Sequence, residues 1–327
     1  MDRQFDGQLG FLASVNVLIL VAALMFVGGS FINLFNFQSM GAQVPELGLL
    51  SLGVMLAMIS GNGGIDLSGI ALANLSGVVA VLLVPFVVSP EAAPSAYTFS
   101  FALVALSTGL VGGMVNGVLV GYAGLTPIIA TLGTQLLFTG IAVGLTGGSA
   151  RTLGYIVPMD DFGNMPFWGI PLPFALFVAV AAIIAVVLRF SSFGKRLFLL
   201  GSNPTAAFFA GIPVRRMLFH TYTLAGVLAS IAGFIIAART SSVKWDYGTS
   251  YVLVAILVVV MAGVRPAGGY GRVICVVLSA IALQMLSSLF NFMNISNFFR
   301  DCAWGVLLLL FLASARIDLT PYRRVRS

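Results

Sequence analysis

Residues 47–68 read LGLLSLGVMLAMISGNGGIDLS. An apolar run from Leu47 to Ser60 passes straight into Gly61, Asn62, Gly63 and Gly64, and Asp66 stands just before the next apolar run. Taken as a helix, the run from 47 to 60 rises about 21 Å, short of the roughly 30 Å hydrocarbon core of a bilayer. Short, glycine-interrupted apolar runs mark a translocation path, because non-helical backbone at membrane depth survives only where it lines water or is buried in protein. The pattern occurs twice: Tyr251 to Val264 is again short and apolar, and Ala267, Gly268, Gly269, Tyr270 and Gly271 follow it. Tight turns between packed helices are the competing reading of both clusters. Asp66 is expected to cap the following helix by accepting its free N–H groups, a role compatible with a place in a gate.

Composition puts these runs in lipid. Of 327 residues 59% are hydrophobic and 8% charged, with a mean hydropathy of +1.07, whereas soluble chains carry about 25% charged residues. The fold class expected is an all-α polytopic membrane protein of about ten transmembrane helices, since each span takes about 20 residues. The first apolar stretch, Leu9 to Gly29, reads as an uncleaved span, because Asp2 and Asp6 spoil the positive leader of a secretory signal. Nine more runs follow, near 47–60, 67–88, 99–122, 126–146, 172–188, 217–238, 250–264, 273–290 and 301–315. They leave no room for a catalytic domain, and residues 1–327 read as a single transmembrane domain.

Ten spans put both termini on one side, and the positive-inside rule makes that side cytoplasmic. Twelve of the 16 Lys and Arg residues then lie inside, among them Arg3, Arg189, Lys195, Arg196, Arg215, Arg216, Arg265, Arg272, Arg316, Arg323, Arg324 and Arg326. Arg151, Arg239, Lys244 and Arg300 fall outside, together with Glu46. The net charge of +6 is scattered between apolar runs, which excludes a nucleic-acid-binding patch. Cys275 and Cys302 fall near opposite membrane faces, so neither a disulfide nor a metal site is expected.

Inside the runs as drawn, Asp301 at a boundary is the sole Asp, Glu, Lys or Arg, and His220, three residues into its run, reads as an interfacial histidine. Ion-coupled carriers place ionisable groups at mid-membrane, so the energy for transport is expected from elsewhere. With His220 as the lone histidine, there is no catalytic set of nucleophile and base, paired acids or metal ligands. The Gly194-Lys195 pair lacks the upstream glycine of a P-loop, so the chain is not read as an enzyme and any ATP hydrolysis belongs to a partner.

The loop that would receive such a partner is 191–216. Its GSNPTAAFFAGIPV stretch, Gly201 to Val214, carries complete helix punctuation: Asn203 as N-cap, Pro204 at the first position, Gly211 as the stop, and Pro213 forbidding continuation. Between them Thr205, Ala206, Ala207, Phe208, Phe209 and Ala210 form a short, nearly apolar helix. Two turns are unstable alone and exposed phenylalanines are costly in water. The helix is therefore expected to dock into a partner's groove, with packing on the membrane surface as the alternative.

These residues resemble the permease subunits of bacterial ATP-binding-cassette importers for monosaccharides of the ribose, xylose, arabinose and rhamnose type. Four stretches carry the likeness in order: GGIDLS at 63–68, TPIIATLGTQLLFTG at 126–140, GSNPTAAFFAGIPV at 201–214, and AGGYGRV at 267–273. The resemblance implies a permease dimer in the bacterial inner membrane, two cytoplasmic ATPase subunits that bind ATP and magnesium, and a periplasmic sugar-binding protein. No cofactor is implied for this chain. In that family the 201–214 loop is similar to the coupling helix, which assigns coupling to Asn203, Pro204, Thr205, Ala206, Ala207, Phe208 and Gly211. The path or gate is assigned to Asn62, Gly63, Gly64, Asp66, Thr131, Gln135, Gly268 and Gly269. Val252-Leu253 departs from the family's common Glu-Leu, and Arg265 stands where a small polar residue is common. Both departures suit one of two non-identical permeases. Related permeases for a furanose-type autoinducer, a nucleoside or a polyol are the alternative cargoes, and a secondary carrier is a weaker one.

Overall fold

The computed structural model describes the backbone of residues 2–316 and the side chains of residues 7–313. Arg323, Arg324 and Arg326 of the positive-inside count lie outside the described residues, as do the side chains of Arg3 and Arg316. Every apolar run falls on a helix. α1 (Asp2–Phe26) is followed by a 3-10 turn, Gly28–Ile32, then α2 (Leu34–Ile59), α3 (Gly69–Leu83), α4 (Pro94–Gly121) and α5 (Pro127–Thr146). A connection then carries β1 (Arg151–Thr152), α6 (Val157–Asn164), β2 (Pro166–Phe167) and β3 (Ile170–Pro171). α7 (Leu172–Phe190) leads through α8 (Ser192–Ser202) and α9 (Pro204–Phe209) into α10 (Val214–Thr240). β4 (Ser242–Val243), α11 (Tyr251–Met261), α12 (Val273–Phe292) and α13 (Asn297–Arg316) complete the chain.

Among the described residues, eight of these helices are long and apolar enough to cross a membrane, rather than ten. α11 has 11 residues, a rise of about 16 Å, and does not cross alone. α13 opens with Arg300 and Asp301 inside its first turns.

The run that opened at Leu47 is corrected most. α2 is a 26-residue helix that starts at Leu34, with Pro45 inside it. Pro45 and Glu46 look like a boundary because proline removes a helical hydrogen bond and strains the preceding turn. Here the helix runs through them, with Gly41 at the i−4 position that the proline ring crowds. From Val44 to Ile59 the helix is buried on every side, and it packs against α7, α10, α11 and α12 as the axis of the bundle. Glu46 thereby moves from the surface to the interior, fully buried.

α4 and α10 form the closest helix pair. Gly109, Gly113, Gly117 and Gly121 recur every fourth residue on α4, so all four lie on one face. That face meets the α10 backbone: a Cβ on Gly113 would sit 2.8 Å from the Thr223 carbonyl oxygen, and one on Gly117 2.7 Å from that of Phe219. Gly226 answers from α10, its Cα side filled by Gly109 and Gly113. Small residues at fourfold spacing let membrane helices approach backbone to backbone. Two short antiparallel ladders, β1 with β4 and β2 with β3, tie connections together at the end of the bundle remote from α8 and α9.

Candidate functional site: a glycine junction beneath the α8–α9 loop

Both glycine turns and the loop converge on the end of α2. After Ile59 the chain turns through Gly61, Asn62 and Gly63, all left-handed at φ +82°, +55° and +67°. Gly269, from the turn between α11 and α12, donates its N–H to the Ile59 carbonyl at 3.0 Å. A Cβ on Gly268 would overlap the Gly61 backbone, and one on Gly201, near the end of α8, would overlap the Ile59 carbonyl. Three segments distant in sequence thus meet at a junction built largely of glycines, with Ile59 and Ser202 beside them. Gly64 folds back against Ala57, while Asn62 is exposed and Gly63 has open space around its Cα. The predicted gate therefore divides into a packed junction of Gly64, Gly268 and Gly269 with Gly61 and Gly201, and a surface tip at Asn62 and Gly63.

The loop helix has the punctuation expected of it. Asn203 Oδ1 accepts the Ala206 N–H at 3.0 Å, and Pro204 follows with no N–H to satisfy. At the other end Gly211 has φ +74°, its N–H donates to Phe208, and the Ile212 N–H reaches the Ala207 carbonyl, both at 3.0 Å. That is a Schellman-type stop. α8 is capped by Ser191 Oγ, which accepts the Gly194 N–H at 3.1 Å. Phe208 and Phe209 are 68% and 83% exposed and pack edge to face, bordering an open groove of ≈ 950 Å³ with Tyr122, Ile212 and Arg216. Ala206 and Ala207 part company: Ala206 and Thr205 face outward, whereas Ala207 is buried in the chain's own core.

Asp66 lies inside a buried polar chain. Its Oδ1 accepts the Ser68 N–H at 2.9 Å and the Ser68 hydroxyl at 2.7 Å. Asn116 of α4 donates to Ser68 Oγ at 2.7 Å, and Thr134 of α5 donates to Asn116 Oδ1 at 2.6 Å. Thr131 Oγ1 accepts the Leu67 N–H at 3.1 Å and sits 2.8 Å from the Pro127 carbonyl. The unwound stretch before α3 is thereby tied to α4 and α5, its backbone groups paired as burial demands. Asp66 does not cap α3, contrary to expectation: Ser68 occupies the N-cap position, without a side-chain cap, and the carboxylate closes a turn onto Ser68 instead. Thr131 joins this network, whereas Gln135 is half-buried on α5 and takes no part in it. The space beside Asp66, between Leu50, Gly53, Val252 and Ala255, measures ≈ 10 Å³, about one water, so this interior is closed to a sugar.

A second polar cluster sits toward the opposite end and was not foreseen. Glu46 of α2 pairs with Arg239 in the last turn of α10. The Tyr247 hydroxyl lies 2.9 Å from Glu46 Oε2 and accepts from Arg239 Nη2 at 2.9 Å. Asn74 of α3 holds the same connection by donating to the Trp245 and Tyr247 carbonyls at 3.1 and 2.9 Å. Glu46 and Arg239 were expected in connections outside the spans; the helices run through both. Both ions therefore belong to spans, and the Glu46 carboxylate is neutralised in place by Arg239.

Ten apolar helical segments around a buried axis, with a capped loop helix seated on broken helix ends, define a multi-pass membrane permease. The chain belongs to the family described as branched-chain amino acid transport system / permease component, whose profile matches residues 36–314. It is 32% identical to the ribose import permease protein of Bacillus subtilis (strain 168) over 308 residues, 94% of this chain and 92% of that one. The ribose import permease protein of Escherichia coli (strain K12) is 31% identical, with 90% of each chain covered. The autoinducer 2 import system permease protein of Photorhabdus temperata is 30% identical over 84% of this chain and 80% of its own. No solved structure matches the chain.

Proposed function

We propose that the chain is the permease subunit of an ATP-driven importer and passes a neutral monosaccharide, delivered by a periplasmic binding protein, across the bacterial inner membrane. The observation that carries this reading is the α8–α9 loop, which holds Phe208 and Phe209 out on a doubly capped helix whose base touches both glycine turns. A partner ATPase that grips the phenylalanines would move α8, and through Gly201 the end of α2 and the α11–α12 turn. ATP and magnesium bind that partner, and a second permease subunit completes the transporter. Near full-length similarity to ribose import permeases supports a monosaccharide as cargo.

A furanose-type autoinducer is the second reading. It is favoured by the Photorhabdus relative; Val252, which lines the space beside Asp66 where the resembling family commonly has a glutamate, suits a pairing with a second, non-identical permease. The test is uptake of labelled ribose and of labelled autoinducer 2 into vesicles that contain the chain, its ATPase and its binding protein. ATP-dependent entry that survives a protonophore is expected. Entry abolished by the protonophore but not by ATP depletion overturns the importer reading.

A further inference from the structure

At the end of the bundle remote from α8 and α9, the β2–β3 hairpin has an uncovered apolar tip. Trp168 is 90% exposed and Phe167 65%, on a turn completed by Gly169 at φ +82°. The hairpin is nonetheless held in place: Gln38 of α2 donates to the Gly169 carbonyl at 3.3 Å, and Pro171 packs on Gly41. Beside it opens a crevice of ≈ 290 Å³ between α2, α7 and α12, walled by Phe37, Met40, Val44, Phe174, Ile281 and Met285. That is room for roughly twenty waters or more on the measure that admits one beside Asp66, yet Gln38 and Gln284 are the only side-chain amides lining it. A space this apolar is a poor site for water and a good one for hydrocarbon.

Two rulers fix its depth. α7 begins at Leu172, directly after the hairpin, and its 19 residues rise about 28 Å, close to the thickness of the hydrocarbon core. α2 rises about 39 Å, so its first turns project beyond that core, and Gln38 in those turns is the residue that holds Gly169. Both place Trp168 at the headgroup level, where tryptophan is favoured, with the crevice among the acyl chains just beneath. Further along α7, Val178, Ile183 and Val186 are exposed.

We propose that this crevice is a phospholipid site: one acyl chain lies between α2, α7 and α12, and Trp168 and Phe167 cover it from the headgroup layer. The proposal rests on the chain's place in the bilayer and stands apart from the importer reading.

The test is fluorescence of the full chain in nanodiscs of phosphatidylglycerol and phosphatidylethanolamine, with or without dibrominated acyl chains. One variant keeps Trp168 alone (W245F/W304F). A second carries Phe174→Trp with all three native tryptophans changed to phenylalanine, and a matching Ile183→Trp chain serves as the lipid-facing control. Bromines near the headgroup are expected to quench Trp168 by about half or more, as for an interfacial tryptophan. Mid-chain bromines are expected to quench the Phe174→Trp chain as strongly as the control. Should the single-tryptophan chains fail to fold, the difference between parent and W168F spectra reads the same quantity. Trp168 emission at the position of tryptophan in water, quenched by aqueous iodide and not by lipid, overturns the proposal. So does an unquenched Phe174→Trp chain, the result for a crevice filled by water or covered by a second copy of the chain.

Discussion

Glu46 and Arg239 form an ion pair between the middle of α2 and the last turn of α10, the carboxylate fully buried and the guanidinium side chain 22% exposed, with the Tyr247 hydroxyl within hydrogen-bond distance of both. Removing Arg239 leaves the Glu46 carboxylate buried and unpaired, which costs about 3–5 kcal/mol, whereas replacing both by apolar groups is often neutral; removing Glu46 leaves a partly exposed guanidinium and costs less. Arg239→Leu is expected to lower the thermal midpoint of the purified chain strongly, Glu46→Leu to lower it less, and the double variant to recover most of the Arg239→Leu loss. A double variant as unstable as the sum of the two would show that the pair itself, rather than its completeness, holds the helices.

The α4–α10 contact makes a second expectation. Gly113→Leu forces a side chain into the α10 backbone at Thr223, and overpacking of that kind is absorbed only by separating the helices. Folded protein in membranes should fall to near background. Gly140→Ala on α5, where open space surrounds the Cα, should leave the yield unchanged and add up to about 1 kcal/mol through helix propensity. Comparable losses in both variants would show that helix contact is not the cause.

Helices were legible in the sequence wherever apolar runs were long, and the 203–211 helix was legible to its caps because Asn, Pro and Gly each have a local conformational reason to stand where they do. Two kinds of feature were not. Pro45 and Glu46 hid the first half of α2, since a proline beside a charge has the look of a loop until its partner, Arg239 on a distant helix, is known. The glycines at 109, 113, 117 and 121 carry a fourfold spacing that is visible in the letters, but the helix they face is not. The site was half legible: the two glycine clusters pointed to the junction, while Gly201, Ser68 and Asn116 enter it only through tertiary contact.

The loop helix separates two neighbours that look alike in sequence. Ala206 faces outward and Ala207 is buried, so Ala206→Glu should leave the chain folded while lowering ATP-driven uptake by about tenfold or more, as expected when a charge enters an apolar docking face. Ala207→Glu should instead destabilise the fold, because it buries an unpaired carboxylate. The two are told apart by measuring uptake and detergent-resistant folded fraction on the same preparations. Normal uptake by the Ala206→Glu chain would remove α9 from the coupling role.

The glycine junction gives the sharpest expectation. Gly268 has φ +96°, and a Cβ there would strike the Gly61 backbone, so Gly268→Ala combines left-handed strain with a clash that no side-chain motion relieves. The α11–α12 turn must then lift from α2, breaking the bond from the Gly269 N–H to Ile59 and freeing α8 at Gly201. The ten helical segments keep their own packing, so the chain should still reach the membrane and resist detergent. Protease accessibility at the 191–216 loop should rise, and ATP hydrolysis by the assembled complex should continue while uptake falls. Gly124→Ala is the control: it is also left-handed, at φ +73°, but meets open space, so it carries the strain without the clash. If Gly268→Ala and Gly124→Ala behave alike, backbone strain accounts for the effect and the convergence of the three segments does not transmit motion.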